Sequence, residues 1–170
     1  MQYRGGARRI GRIGACLALV SSVLGLALPS VAAAGENSPP GYGYFSVQLT
    51  GKDVPNGGDS DGQGHVRLDL DPEHETACFT INWRRIDGAV TAFHLHAGHR
   101  GSEGPRWVDF FNGKHFDGGR NTVTGCVHVN GSHGMSPRDK IKTIIHNPSG
   151  FYLNLHSTEF DNGAIRGQLG

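Results

Sequence analysis

Eight short segments beyond residue 43 have the apolar pattern of β-strands. The clearest covers 65–70, where Val66, Leu68 and Leu70 share one face under the two-residue period of a strand. Clusters of Asn, Asp and Gly, the residues of tight turns, separate several of the segments. The other seven segments are 44–49, 77–83, 89–96, 106–111, 122–129, 151–156 and 164–169. The pattern predicts an all-β fold, an antiparallel, Greek-key-like sandwich of about eight short strands.

One segment departs from the strand period. Ser136 stands before Pro137 and Asp139, which is the order of cap, first-turn proline and first-turn acid at the start of a helix. Isoleucines follow at helical spacing, and Pro148 ends the pattern. The sequence therefore predicts one short helix, near 137–146, between two of the strands.

The first 34 residues differ in character from the rest. Arginines without any acid come first, an apolar run follows at about 15–28, and small residues lead up to Ala34. This order is typical of a secretory signal peptide, and the apolar run is shorter than the roughly 18 to 20 residues of a membrane span. We expect a signal peptide over 1–34, a flexible tail over 35–43 and one β-sandwich domain over 44–170. The mature protein is then secreted or periplasmic, without a membrane span.

The amino-acid composition, and above all the net charge, excludes some classes of binding partner. The chain has 27 glycines, 10 histidines and a formal charge of +1. Four of its 16 basic residues and none of its 15 acidic residues lie in the first 34 positions, which leaves 12 basic against 15 acidic residues, a net charge of −3. A slightly acidic domain offers no electrostatic basis for binding nucleic acid or an anionic membrane.

Two cysteines, Cys78 and Cys126, lie beyond the predicted signal peptide, and an even pair in an exported protein is typical of a disulfide. Both lie on the polar side of their predicted strands. We expect a cross-strand or edge disulfide, outside the centre of the core, that closes a loop of 49 residues. Two buried free thiols are the alternative.

The histidines suggest metal chemistry. His94 and His96 share one face of the segment 89–96, and His156 lies on the polar face of 151–156. Histidines at i and i+2 are roughly 6.6 Å apart along a strand, so their rings can converge on one ion. A third imidazole would complete a set of three nitrogens suited to zinc or copper. We expect these three to bind a metal on outward faces, with His99 and His128 as further candidate ligands. Histidines that are only hydrogen-bonded or solvated are the alternative.

Four blocks of the chain resemble the CHRD domain family, which is named after chordin. They are F-S-V-Q-L-T-G at 45–51, A-F-H-L-H at 92–96, F-Y-L-N-L-H-S at 151–157 and G-A-I-R-G-Q-L at 163–169. The resemblance implies a secreted all-β domain and shared positions at His94, His96, Asn154, His156, Arg166 and Gln168. We expect structural roles for the last two, with bonds to loop carbonyls. A single copy is common in exported microbial proteins, so the growth-factor antagonism of animal members is not expected here.

A shorter likeness concerns the chemistry. F-H-L-H at 93–96 is similar to the F-H-V-H strand of copper–zinc superoxide dismutases, although their zinc loop has no counterpart in this sequence. The sequence favours a non-enzymatic exported binding domain that holds copper, or else zinc, through His94, His96 and His156, and it predicts no catalytic residue. Two alternatives stay open: a structural or interaction module at the cell surface with an extracellular protein partner, and a dismutase-like copper oxidoreductase.

Overall fold

The computed structural model describes residues 41–118 and 121–170. The predicted signal peptide, 1–34, and most of the predicted tail, 35–43, lie outside these residues, and Gly43 is already the first residue of a strand. The elements are β1 (Gly43–Thr50), β2 (Gln63–Asp71), β3 (Thr76–Arg84), β4 (Val90–Ala97), β5 (Arg106–Phe111), β6 (Thr122–His128), α1 (Pro137–His146), β7 (Phe151–Ser157) and β8 (Ile165–Gln168). The predicted fold class, all-β with one short helix, is confirmed.

The strands form one antiparallel sheet in the order β5-β4-β7-β8-β1-β2-β3-β6. Only the pair Thr50 and Arg166 joins β1 to β8, so the sheet divides into two four-stranded halves. Phe79 of β3 lies 5.6 Å from Phe93 of β4 and 4.8 Å from Phe110 of β5, measured between ring centroids. The two halves therefore face each other across one core, and the sheet is nearly a barrel.

The alternation of buried and exposed residues along a strand differs between the two halves of the sheet. On β2, the alternate residues Val66, Leu68 and Leu70 are fully buried, while Arg67 and Asp69 between them are exposed. On β4 and β7 the alternation disappears, because almost every residue of both strands is buried. The outer face of β4 and β7 is thus covered by other parts of the chain, and the candidate histidines lie under that cover.

The cysteine pair lies in the other half of the sheet. Cys78 of β3 and Cys126 of β6 are directly paired across the two strands, and their sulfur atoms are at disulfide distance. The hydroxyls of Thr80 and Thr124 lie 3.1 Å apart on the same strands. The disulfide consequently ties the edge strand β6 to its neighbour.

The helix α1 lies near the gap between the two edge strands of the sheet. Its cap is the hydroxyl of Ser136, which accepts a hydrogen bond from the backbone N–H of Asp139. The buried Lys140 donates from Nζ to the backbone oxygen of Trp107 on β5 and to two acceptors just after β6. Within 41–118 and 121–170, no helix has the length and apolar character to cross a membrane.

Candidate metal centre

Three strands build the site from the outer face of the sheet. Residues paired directly across antiparallel strands point to the same face, so strand register decides which side chains meet. The pairs are His94 with Asp109 and Asn154, His96 with Arg106 and Tyr152, and Ala92 with His156. Because the side chain of Ala92 is a single methyl group, the ring of His156 can lean towards His94, and the two ring centroids are 5.0 Å apart.

The three histidines present nitrogen atoms at metal-ligand spacing. One ring nitrogen from each of His94, His96 and His156 lies within 4.8 Å of the other two. His94 Nδ1 and His156 Nε2 are 3.2 Å apart. Two nitrogens bound tetrahedrally to one zinc ion are about 3.3 Å apart, so this pair already has the required separation.

Backbone carbonyls fix the tautomers of two of the rings. His96 Nδ1 donates to the oxygen of Gly104 at 2.9 Å, and His156 Nδ1 donates to the oxygen of Asp161 at 2.8 Å. Since a carbonyl can only accept, both Nδ1 atoms carry the proton and both Nε2 atoms keep a lone pair. His96 Nε2 is buried and has no hydrogen-bond partner within the described part of the chain.

His94 is the most deeply buried of the three. Its ring faces His156 through Nδ1 and Asp109 through Nε2, which lies 3.4 Å from the Oδ1 atom of that carboxylate. The Nε2 atom makes no hydrogen bond to the described residues. His94 and His96 therefore each have a buried nitrogen without a hydrogen-bond partner among the described residues, whereas both nitrogens of His156 have one.

The segment 98–105 covers the histidines. The ring of Tyr152 stacks on that of His96, with centroids 5.0 Å apart, and the guanidinium of Arg166 lies 3.4 Å from the centroid of the Tyr152 ring. The hydroxyl of Tyr152 accepts from the backbone N–H of Gly104 at 3.2 Å. Arg166 donates to the carbonyls of His99, at 2.9 Å, and Ser102, at 2.7 Å. The stack of Arg166, Tyr152 and His96 thus holds the covering segment in place.

The remaining predicted site residues lie around the group. Gln168 Nε2 contacts the carbonyls of Gly98, Ser149 and Phe151, and Asn154 Nδ2 donates to the oxygen of Asn162 at 3.1 Å. His99 and His128 are exposed and do not belong to the three-histidine group. His99 contributes its backbone carbonyl, and His128 lies at the end of the edge strand β6.

The histidines were predicted on outward faces of their strands, but solvent does not reach the faces of His94 and His96. His94 is 1% and His96 is 9% exposed, although both point away from the core. The reason is the cover of 98–105 and Tyr152, which a period-2 pattern cannot reveal. Sequence reasoning also missed Gly104 and Asp161, because their carbonyls act through the backbone.

Burial sets the protonation of the group. Burial, followed by the charges of His156, Arg106 and His96, lowers the pKa of His94 from 6.5 to about 3. Burial also lowers the pKa of His96 and of His156, although the carbonyls of Gly104 and Asp161 act in the opposite direction. All three rings are therefore neutral near pH 7, as metal ligands must be.

These pKa shifts predict a loss of stability in acid. Because the pKa of His94 is lower in the folded chain than in the unfolded one, the folded state is favoured above pH 6.5 and loses this advantage as the pH falls towards 3. Well below pH 6.5, His94 alone should cost about 1.4 kcal/mol of unfolding free energy per pH unit. Denaturant unfolding of the metal-free protein at several pH values measures the slope. His94→Gln should make it shallower, and an equal slope in both proteins would contradict the expectation.

Gly104 is predicted to be essential for the covering segment. A Cβ atom at this position would lie 1.6 Å from the backbone oxygen of Ala97, so Gly104→Ala must displace the backbone that binds His96. We expect the variant to lose about 2 kcal/mol of unfolding free energy or more. Thermal denaturation measures the loss, and Gly118→Ala is the control, because a Cβ atom there has nothing within 4 Å. Equal midpoints for both variants would argue against this role of Gly104.

Comparison with known proteins identifies the family of this domain. A family model described as the CHRD domain matches residues 45–169. The match includes all three histidines and both strands that carry them. No curated protein and no solved structure matches the chain.

Proposed function

The chain belongs to the CHRD domain family, and we propose that it binds one copper or zinc ion through His94, His96 and His156. The observation that carries the proposal is the convergence of three imidazoles with nitrogens within 4.8 Å of one another, two of them oriented by backbone carbonyls. A buried acceptor without a partner costs about 1 to 3 kcal/mol, and an ion bound at His96 Nε2 would remove that cost.

The donor set favours particular metals. Three neutral imidazoles suit copper and zinc, whereas magnesium and calcium prefer oxygen ligands. Among divalent ions of the first transition row, copper binds nitrogen sites most tightly, so copper is the favoured occupant. The described residues contribute no thiolate or carboxylate to the group.

Asp109 supports this assignment from outside the group. If His94 binds through Nδ1, its proton moves to Nε2, which already faces the carboxylate of Asp109 at 3.4 Å. Metal-bound histidines commonly donate their second N–H to a carboxylate, which orients the ring and raises its basicity. The donor atoms would then be His94 Nδ1, His96 Nε2 and His156 Nε2.

We place this function outside the cytoplasm. The Cys78–Cys126 disulfide is typical of oxidising compartments, and the first 34 residues have the sequence pattern of a signal peptide. Mass spectrometry of protein recovered from the cell exterior or periplasm tests this location. We expect a chain that begins at Gly35 and is two hydrogen masses lighter than its reduced form, whereas an intact chain with all three of its cysteines as free thiols would refute the proposal.

A thermal-shift experiment tests metal binding. Protein stripped with a chelator is unfolded with zinc, with copper, with magnesium and without added metal. Zinc at about 100 times its dissociation constant should add about 2.7 kcal/mol to the unfolding free energy, and magnesium should add nothing. The variant His156→Ala should lose the response to zinc. A wild-type midpoint that neither zinc nor copper changes would refute metal binding and favour the interaction module, with the histidines as a hydrogen-bonded lattice.

A further inference from the structure

We propose that the ion held by the three histidines takes a small anion as an additional ligand and that Arg106 binds this anion. The inference rests on the proposed metal-binding function and adds a ligand class to it. It depends on two features of the structure: the described residues supply three ligands, and the guanidinium of Arg106, which donates no hydrogen bond to those residues, lies beside the site.

The described residues provide three ligands. The group of His, Cys, Asp and Glu side chains that can reach one ion contains only His94, His96 and His156 within that part of the chain. The nearby carboxylate of Asp109 approaches His94 at Nε2, whereas the nitrogen that faces His156 is Nδ1. Asp109 thus lies across the imidazole ring from the converging nitrogens. Zinc generally binds at least four ligands, so a molecule from solution must complete the set.

Arg106 lies beside the three-histidine group. It is the direct partner of His96 across β4 and β5, so its side chain starts from the same outer face. The side chain is 53% exposed, so solvent can reach it. Its one ionic neighbour among the described residues is Asp109, at 3.6 Å, and its N–H groups donate no hydrogen bond to any of those residues.

A second arginine near the site, Arg166, is a less suitable anion ligand than Arg106. Arg166 is buried, packs on Tyr152 and donates to two carbonyls of the covering segment, so its role is structural. Arg106 has none of these commitments. A guanidinium offers five N–H donors, and uncommitted donors beside a cation are suited to an anion that bridges the two charges.

The electrostatics agree with this arrangement. Burial is the main cause of the lowered pKa of each of the three imidazoles, and the charge of Arg106 contributes to the lowering in all three. Its positive field therefore extends over the whole group. A divalent ion on three neutral rings beside Arg106 gives a local excess of positive charge that the single carboxylate of Asp109 does not balance. A small monoanion, such as a carboxylate, would reduce this excess of positive charge.

Azide titration of the copper-loaded protein tests the inference. Copper content is measured first in the wild type, Arg106→Gln and Arg100→Gln, and azide is then added while the azide-to-copper charge-transfer absorption is recorded. Arg100 is the matched control, because it is an exposed arginine that pairs with Asp53. We expect azide to bind all three proteins, with an affinity about tenfold weaker in Arg106→Gln only. Copper retention should be the same in all three.

The outcomes separate the two proposals. If copper is retained but azide produces no new absorption, the protein itself completes the ligand set and the inference is wrong. Equal azide affinity in Arg106→Gln and the wild type would show that anion binding does not involve Arg106, which also overturns it. Failure of the wild type to retain copper or, when loaded in its place, zinc would overturn the proposed function together with this inference. Arg106→Lys should bind azide with intermediate affinity, because it keeps the charge and loses the fork of donors.

Discussion

His96→Ala is expected to lower the affinity for zinc or copper by more than about 100-fold. Loss of an outer partner of a metal ligand costs about 10- to 100-fold in affinity, and loss of the ligand itself should cost more. His96 is the best position for the change, because its Nε2 atom is buried, has no hydrogen-bond partner in 41–118 or 121–170, and is oriented by the bond from Nδ1 to the oxygen of Gly104. A competition titration against a chromophoric chelator measures the affinity.

The matched control is His99→Ala. His99 is exposed, lies outside the group and contributes through its backbone carbonyl, which the substitution retains. This variant should bind metal as the wild type does. Circular dichroism of both variants establishes that they are folded, and His156→Ala provides a second ligand deletion if His96→Ala does not fold. Unchanged affinity in a folded ligand deletion would show that the histidine is not a ligand.

The double variant Cys78→Ser/Cys126→Ser is expected to lose about 4 kcal/mol of unfolding free energy. The cysteines are 48 residues apart. On the chain-entropy model, a disulfide that closes a loop of this length stabilises the fold chiefly because it restricts the unfolded chain. Cys126 is exposed and Cys78 is half-buried, so the substitutions leave no large cavity in the core. Denaturant unfolding measures the difference from the wild type.

Reduction of the wild type with a phosphine should produce the same loss, which separates the missing bond from the effect of the serines. Metal binding should persist in protein that remains folded, because the disulfide joins β3 to β6 and the histidines lie on β4 and β7. A loss below about 1 kcal/mol would show that the disulfide contributes little to stability.

The strands could be predicted because their cause is local. On β2, Val66, Leu68 and Leu70 alternate with polar residues, and this alternation places them in the core whatever the partner strands are. The start of α1 is equally local, since Ser136 caps the N–H of a residue three positions later. The predicted helix, 137–146, has the bounds of α1, whereas β2 begins two residues before and ends one residue after the predicted 65–70.

The site was only partly predictable from the sequence, because it depends on register between distant segments. The period of β4 places His94 and His96 on one face, but His156 reaches them only through the pairing of β4 with β7, across a separation of 62 residues. The resemblance to the CHRD family indicates the same three histidines, because they lie in its motifs. Neither source indicates that 98–105 covers the rings, since the covering segment is held through the carbonyls that Arg166 binds.

X-ray absorption spectroscopy of the protein loaded with one equivalent of copper or zinc tests the central claim most directly, because it reports the number and kind of atoms bound to the ion. We expect three imidazole nitrogens at about 2.0 Å together with at least one oxygen or nitrogen ligand from solution. A spectrum of the hydrated ion, or one with fewer than three imidazoles, would contradict the claim that His94, His96 and His156 together form a metal centre.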